Sequence, residues 1–261
     1  MTMSPVETAI RTRVDAGSGA LIGYLPVGFP DLDTSIDAAV ALVENGVDIV
    51  ELGLPYSDPV MDGLVIQRAT QTALKNGFTL KQGFKAVERI RDRVNAPLLV
   101  MTYWNPVIQY GVERFAADLE NAGGAGLITP DLIPDEAGEW MSASDAHELD
   151  RVFLAAPSSS PARMRQAVES SRGFVYAVST MGITGARADV DAAARSVIAR
   201  LREAGATSAC VGVGISTPEQ VADVLTYADG AIVGSRLVSG LAEGGVPAVA
   251  AIAAELATGK D

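Results

Sequence analysis

A chain of 261 residues has room for two small domains, but an α/β barrel of this length also forms as one unit. Twenty Lys and Arg face 32 Asp and Glu, a formal net charge of -12 with no basic run, which excludes nucleic acid and anionic membrane surfaces as expected partners. One cysteine and one histidine exclude an intramolecular disulfide, a cysteine-based metal site and any two-histidine mechanism, so proton chemistry falls to carboxylates.

With 48% hydrophobic and 20% charged residues, the chain can bury a large core. Glu7, Arg11, Arg13 and Asp15 interrupt the region where a secretory leader needs an apolar stretch, and no later run is read as long enough to cross a bilayer. A single cysteine fits a reducing compartment, and a cytoplasmic location is expected.

Short runs rich in Val, Ile and Leu alternate with amphipathic stretches of helical length. Strands are expected at residues 20–25, 47–54, 97–102, 126–129, 151–156, 173–178, 208–213 and 229–233. Between them, 34–45 carries Ile36, Val40 and Val43 on one helical stripe, and 79–91 carries Phe84, Val87 and Ile90 on another. Near-continuous apolar strands indicate burial on both faces, as parallel sheets require. Eight such units predict a (β/α)8 TIM barrel over 1–261 as one domain, with a short helical lead-in before Ala20 covering the barrel bottom. A doubly wound open sheet is the structural alternative.

In a barrel the chemistry sits where strands end. The second strand reads Val47-Asp48-Ile49-Val50-Glu51-Leu52-Gly53, and alternation puts Glu51 on the face of Ile49 and Gly53, opposite Val50 and Leu52. An inward Glu51 meets apolar surroundings that raise its pKa toward neutrality, suiting general acid/base work; pairing with a core Arg or Lys is the structural alternative. The following loop, Pro55-Tyr56-Ser57-Asp58-Pro59-Val60-Met61-Asp62-Gly63, brings two more carboxylates to the mouth. Asp62 serves equally as an N-cap and Asp58 as a turn former.

Three glycine-bearing turns follow late strands: Gly182-Ile183-Thr184-Gly185, Gly212-Val213-Gly214-Ile215-Ser216 and Gly234-Ser235. Together they form a candidate phosphate cradle, since glycine lets backbone N–H groups reach oxygens and helix N-termini add positive partial charge. Gly185, Gly214, Gly234 and Ser235 are the candidate phosphate ligands.

The run Glu51-Leu52-Gly53-Leu54-Pro55-Tyr56-Ser57-Asp58-Pro59 continuing to Asp62-Gly63 closely resembles the strand-two motif of the tryptophan synthase alpha subunit family. The resemblance extends to Leu25-Pro26-Val27-Gly28-Phe29-Pro30, Thr129-Pro130-Asp131-Leu132-Ile133-Pro134, Ala156-Pro157 and the three glycine turns. It implies cleavage of indole-3-glycerol phosphate to indole and glyceraldehyde 3-phosphate without metal or cofactor in this chain. It implies also a separate beta subunit carrying pyridoxal phosphate, an alpha2beta2 heterotetramer, and coupling through residues 55–60 and the loop after strand six.

By the same resemblance, Glu51 matches the general acid/base, Asp62 the carboxylate near the indole nitrogen, and Tyr176 a pocket tyrosine. Tyr24, Ile66, Tyr103 and Leu127 are expected as walls for indole, joined by Thr184. Where the family usually continues Asp-Gly-Pro, this chain has Asp62-Gly63-Leu64, and leucine frees φ and restores an N–H. Asp131 either caps a neighbouring turn or orders a closed loop, and Arg187 is read as a solvated arginine, with a contact to phosphate or Asp58 as the alternative. His147 is expected at the surface and Cys210 in the core. A metal-dependent sugar-phosphate epimerase is disfavoured by the single histidine, and an idle scaffold barrel by the presence of both Glu51 and Asp62.

Overall fold

The computed structural model describes residues 3–178, 187–212 and 214–260. The apolar runs form parallel strands: β1 Ala20–Pro26, β2 Ile49–Gly53, β3 Leu98–Met101, β4 Gly126–Ile128, β5 Asp150–Val152, β6 Leu154–Ala155, β7 Val175–Val178, β8 Ala209–Gly212 and β9 Gly230–Val233. Their order is β5-β4-β3-β2-β1-β9-β8-β7-β6, every neighbouring pair parallel. β5 and β6 are consecutive in the chain, so the ring closes through Phe153, giving a TIM barrel with helices outside.

The fifth strand, expected as one run over 151–156, is therefore two. Phe153 N–H donates to Ser171 Oγ (3.3 Å) while its carbonyl accepts from Tyr176 N–H (3.0 Å). One half then pairs only with β4 and the other only with β7. The expected helices begin earlier or later than periodicity alone places them, because capping decides. Asp31 accepts from Thr34 N–H (2.8 Å) and starts Leu32–Glu44, whereas Thr79 and Gln82 form a capping box that starts Leu80–Arg91.

Strand alternation sorts the core into two layers. The barrel interior holds Ile22, Ile49, Leu99, Ile128, Val152 and Ile232, with Cys210 among them as expected. Val50, Leu52, Val100 and Leu127 face outward into the larger layer under the helices. The helical lead-in is Pro5–Asp15, capped by Ser4, whose Oγ accepts from Glu7 N–H (3.1 Å). Its Val6 and Ile10, fully buried, plug the interior from below.

Asp48 ties three distant segments together. Its buried carboxylate accepts from Leu21 N–H (2.8 Å) on β1, from Arg13 Nε (2.7 Å) on the lead-in helix and from Lys260 Nζ (2.9 Å). Removing it orphans a backbone donor and leaves a buried ammonium unpaired. Asp48→Ala is expected to cost about 3 kcal/mol, read as a lower urea midpoint with unchanged slope.

One apolar stretch was not expected from the sequence. Ser235–Lys260 is the one helix among the described residues long and apolar enough, by length and composition, to cross a membrane. Its continuity is broken, however. Gly245 (φ 61°, ψ -158°) and Pro247 kink it, and the second half folds back on the first. A β-carbon built on Gly240 would stand 2.3 Å from Ile252 Cδ1, and Leu237, Leu241, Val249 and Leu256 are buried against the barrel.

Candidate active site

Glu51 occupies the middle of β2, aligned with Tyr24 on β1 and Leu99 on β3. As alternation dictates, it points inward with Ile49 and is 1% exposed. Among the described residues no cation pairs with it, and its Oε1 has no hydrogen-bond partner. The described residues thus offer it no core ion pair. Burial pushes its pKa from 4.5 up to about 8. It opens on a cavity of about 210 Å³ at the carboxyl end of the strands.

Asp62 lines the same cavity from the loop after β2. It is not an N-cap: the helix Leu64–Lys75 is capped by Gly63 with no side-chain bond. Instead, Asp62 Oδ1 accepts from the Tyr103 hydroxyl (3.2 Å), whose oxygen accepts from Met61 N–H (2.9 Å). Gln67 Nε2 donates to Asp62 O (2.8 Å) and holds the loop from the other side. Partial burial raises the Asp62 pKa from 3.8 to about 6, tempered by the Tyr103 hydrogen bond. Two carboxyl groups over one cavity thus titrate on opposite sides of neutrality, the signature of an acid and an anion assigned by environment.

Tyr103, expected as a wall for indole, instead acts as a clasp on the Met61–Asp62 backbone and carboxylate, its ring tilted against that of Tyr56 with centroids 5.3 Å apart. Leu127 is corrected outright. In the three-residue strand β4 it faces the helix layer, fully buried, and Pro130 lines the cavity on that side. Tyr24, Ile66 and Tyr176 do line it. Met61, Met101, Leu154, Val178 and Ile232 complete the apolar lining. Sequence reasoning passed over them because lone apolar residues at strand ends carry no separate signal.

Both cavity tyrosines lie across a glycine of the next strand. A β-carbon on Gly53 would stand 2.2 Å from the Tyr24 hydroxyl, and one on Gly212 2.5 Å from that of Tyr176. Any side chain there would displace the ring. Burial drives both phenols well above their ordinary pKa, with the Asp62 and Glu51 charges adding for Tyr24 and the Glu51 charge for Tyr176, so both stay protonated.

Gly212, Gly214, Gly234 and Ser235 line the same cavity. Gly214 has φ +67° with open space where a β-carbon would be, and Gly234 immediately precedes the helix that begins at Ser235. Exposed backbone N–H groups at a helix start are a ready anion cradle. Thr184 and Gly185 lie outside the described residues, as does the side chain of Arg187.

The remaining candidates resolve structurally. Asp131 Oδ1 accepts from Trp104 N–H (2.9 Å) at the start of the helix Trp104–Tyr110, a capping role. Asp58 Oδ2 accepts from the Ser57 hydroxyl (2.5 Å) in the exposed turn. His147 sits between Glu113 (2.9 Å) and Glu120 (2.6 Å), which raise its pKa, and it does not line the cavity.

Fold and site together define a (β/α)8 barrel whose cavity at the carboxyl end of the strands is lined by two carboxyl groups and by glycines of the late strands. The family described as tryptophan synthase alpha chain matches residues 11–258. The alpha chain from Leifsonia xyli subsp. xyli is 71% identical over 257 residues, 98% of each chain, and that from Mycobacterium avium 55% identical over 98% of this chain and 93% of the other. A tryptophan synthase structure from Mycobacterium tuberculosis superposes with a TM-score of 0.94 at 50% identity over 99% of both chains. A tryptophan synthase complex from Pyrococcus furiosus gives 0.82 at 34% identity, covering 92% and 98%. The chain belongs to the tryptophan synthase alpha chain family, whose lyase activity cleaves indole-3-glycerol phosphate to indole and glyceraldehyde 3-phosphate.

Proposed function

We propose that Glu51 and Asp62 carry this retro-aldol cleavage, with the whole chain acting as one domain. The observation that carries the reading is that one cavity holds two carboxyl groups in different settings, Glu51 buried in the barrel interior and raised to about 8, Asp62 hydrogen-bonded by Tyr103 and raised only to about 6. Neutral Glu51 gives its proton to indole C3, making the ring an electron-poor cation. Anionic Asp62 accepts the ring N–H and stabilises the positive charge. Glu51, now a carboxylate, removes the proton of the side-chain hydroxyl on the carbon attached to C3. The carbon–carbon bond breaks, its electron pair returns to the ring as indole, and the hydroxyl carbon becomes the aldehyde. Glu51 ends protonated, ready for the next turnover.

In this reading Tyr24, Ile66, Met101 and Tyr176 hold the indole, while backbone N–H groups at Gly214, Gly234 and Ser235 take the phosphate, with Thr184 and Gly185 completing the subsite. The chain's own part is carboxylate and amide chemistry, and pyridoxal phosphate belongs to the partner. Val60 (79% exposed), Met61, Leu64 (61%), Val65 and Ile108 present an apolar rim near the mouth. We assign this rim to a beta subunit in an alpha2beta2 complex, in the cytoplasm. The test is indole release from indole-3-glycerol phosphate by the purified chain, alone and with beta subunit. Slow release that the partner accelerates is expected; no indole in either case overturns the reading.

Leu64 is the first residue of Leu64–Lys75, a position whose N–H has no intrahelical acceptor and whose side chain is solvated. Leu64→Pro is therefore expected to fold, to raise stability by about 0.5 kcal/mol, and to change turnover or partner activation without abolishing either. Thermal midpoints and paired kinetics with and without beta subunit check this.

A further inference from the structure

At the opposite end of the barrel, a groove of about 720 Å³ lies between the start of the lead-in helix and the loops entering β5, β7 and β8. Asp150 shares the inward face of Val152, and Ser208 that of Cys210, so both turn toward the interior beneath the plugging side chains. Asp150 is fully buried, and among the described residues its carboxylate oxygens meet no backbone or cationic hydrogen-bond donor, only the Ser4 hydroxyl bearing on them, while the buried Ser208 hydroxyl has no partner. In the turn that enters β7, Gly173 (φ +88°) packs closely against Asp150. A β-carbon there would stand 3.2 Å from Asp150 Cγ and Oδ2.

The two guanidiniums of the groove are committed elsewhere. Arg151 donates to Ser170 O (2.6 Å), Ser144 Oγ (3.0 Å) and Asp145 Oδ1 (2.5 Å), and Arg172 pairs with Asp145 at 3.3 Å. Glu7, Asp145, Glu148 and Glu169 add negative charge around Asp150. Among the described residues no group of three or more His, Cys, Asp or Glu is placed to hold a metal ion, so the match is to a donor of hydrogen bonds. We propose that this groove binds a small primary alkylammonium ion, its three N–H donors taken by the two Asp150 oxygens and the Ser208 hydroxyl.

Burial raises the Asp150 pKa to about 6; Ser4, Arg172 and Arg151 oppose the rise and Glu7 assists it. The ligand needs the ionised carboxylate, so binding is present above that value and is lost as pH falls through it.

The test is amide chemical-shift titration of the isotopically labelled full chain with ethylammonium at pH 8, in constant ionic strength. Saturable shifts around residues 4–7, 150, 173 and 208 are expected, with a Kd of about 1–10 mM. Asp150→Asn should weaken binding about tenfold and Ser208→Ala about threefold, and the response should fade at pH 5. Tetramethylammonium, a cation without N–H donors, should produce no saturable shift. Absent shifts, equal shifts with tetramethylammonium, or a Kd unmoved in Ser208→Ala overturn the proposal, the last even if Asp150→Asn fails to fold. Indole release plays no part in this readout, so the test stands apart from the proposed function.

Discussion

Glu51→Gln should lower the rate of indole release by about 10³-fold or more while making the protein more stable at neutral pH. Gln keeps the size and polarity of the side chain but can neither give a proton to C3 nor take one from the hydroxyl. The stability change follows from burial. In the unfolded chain Glu51 ionises near its ordinary 4.5, whereas the folded protein holds the proton to about 8. Between those values the folded state binds the extra proton, so wild-type stability falls as pH rises through the window and stays lowered above it. Gln carries no such charge. The variant's advantage should be absent below pH 4.5, grow to about 3 kcal/mol at pH 7 and level off above 8. Denaturation at several pH values, beside the indole assay, checks both halves. A variant that is inactive and also destabilised at pH 7 would indicate a structural role instead.

Asp62→Asn should lower kcat about 10²-fold and leave KM within a few-fold, because the lost charge acts on the cationic ring and not on the bound substrate. Asn still accepts from Tyr103, so the loop keeps its anchor. The pH profile separates the two carboxylates. In the wild type, kcat/KM should rise as Asp62 ionises near 6 and fall as Glu51 loses its proton near 8. Asp62→Asn should keep only the falling limb. Tyr103→Phe should act more mildly, losing about 1 kcal/mol of positioning while retaining both limbs. Two limbs surviving in Asp62→Asn would remove Asp62 from the chemistry.

How much of this was readable in advance depended on whether a signal is local. Glu51 was, because a period of two in a buried strand fixes which face a residue takes, and Ile49 and Val50 confirm the phase. The barrel was equally plain from its eight apolar runs. Leu127 was misplaced because a strand of three residues gives too few turns of the pattern to set its phase. The roles of Gly53 and Gly212 depend on tyrosines in neighbouring strands, a register that no single segment states. The break at Phe153 likewise rests on Ser171, across a helix in the chain. The kink in the last helix did have a local mark, Gly244-Gly245-Val246-Pro247, outweighed by the apolar residues on either side. Asp62 was legible as a carboxylate at the mouth, but the hydroxyl that aims it arrives from beyond β3.

The pairing of β1 with β9 sets Ala20 beside Gly230, so the first strand acquires its second neighbour only when residues 230–233 are available. On the ribosome, a nascent chain must therefore carry an open sheet edge from the emergence of β1 until β9 is made, with apolar strands awaiting a seam that cannot yet be sewn. Translation arrest before Gly230 would release a species with two sticky borders, on β1 and β8, which makes such fragments natural clients for chaperones and proteases.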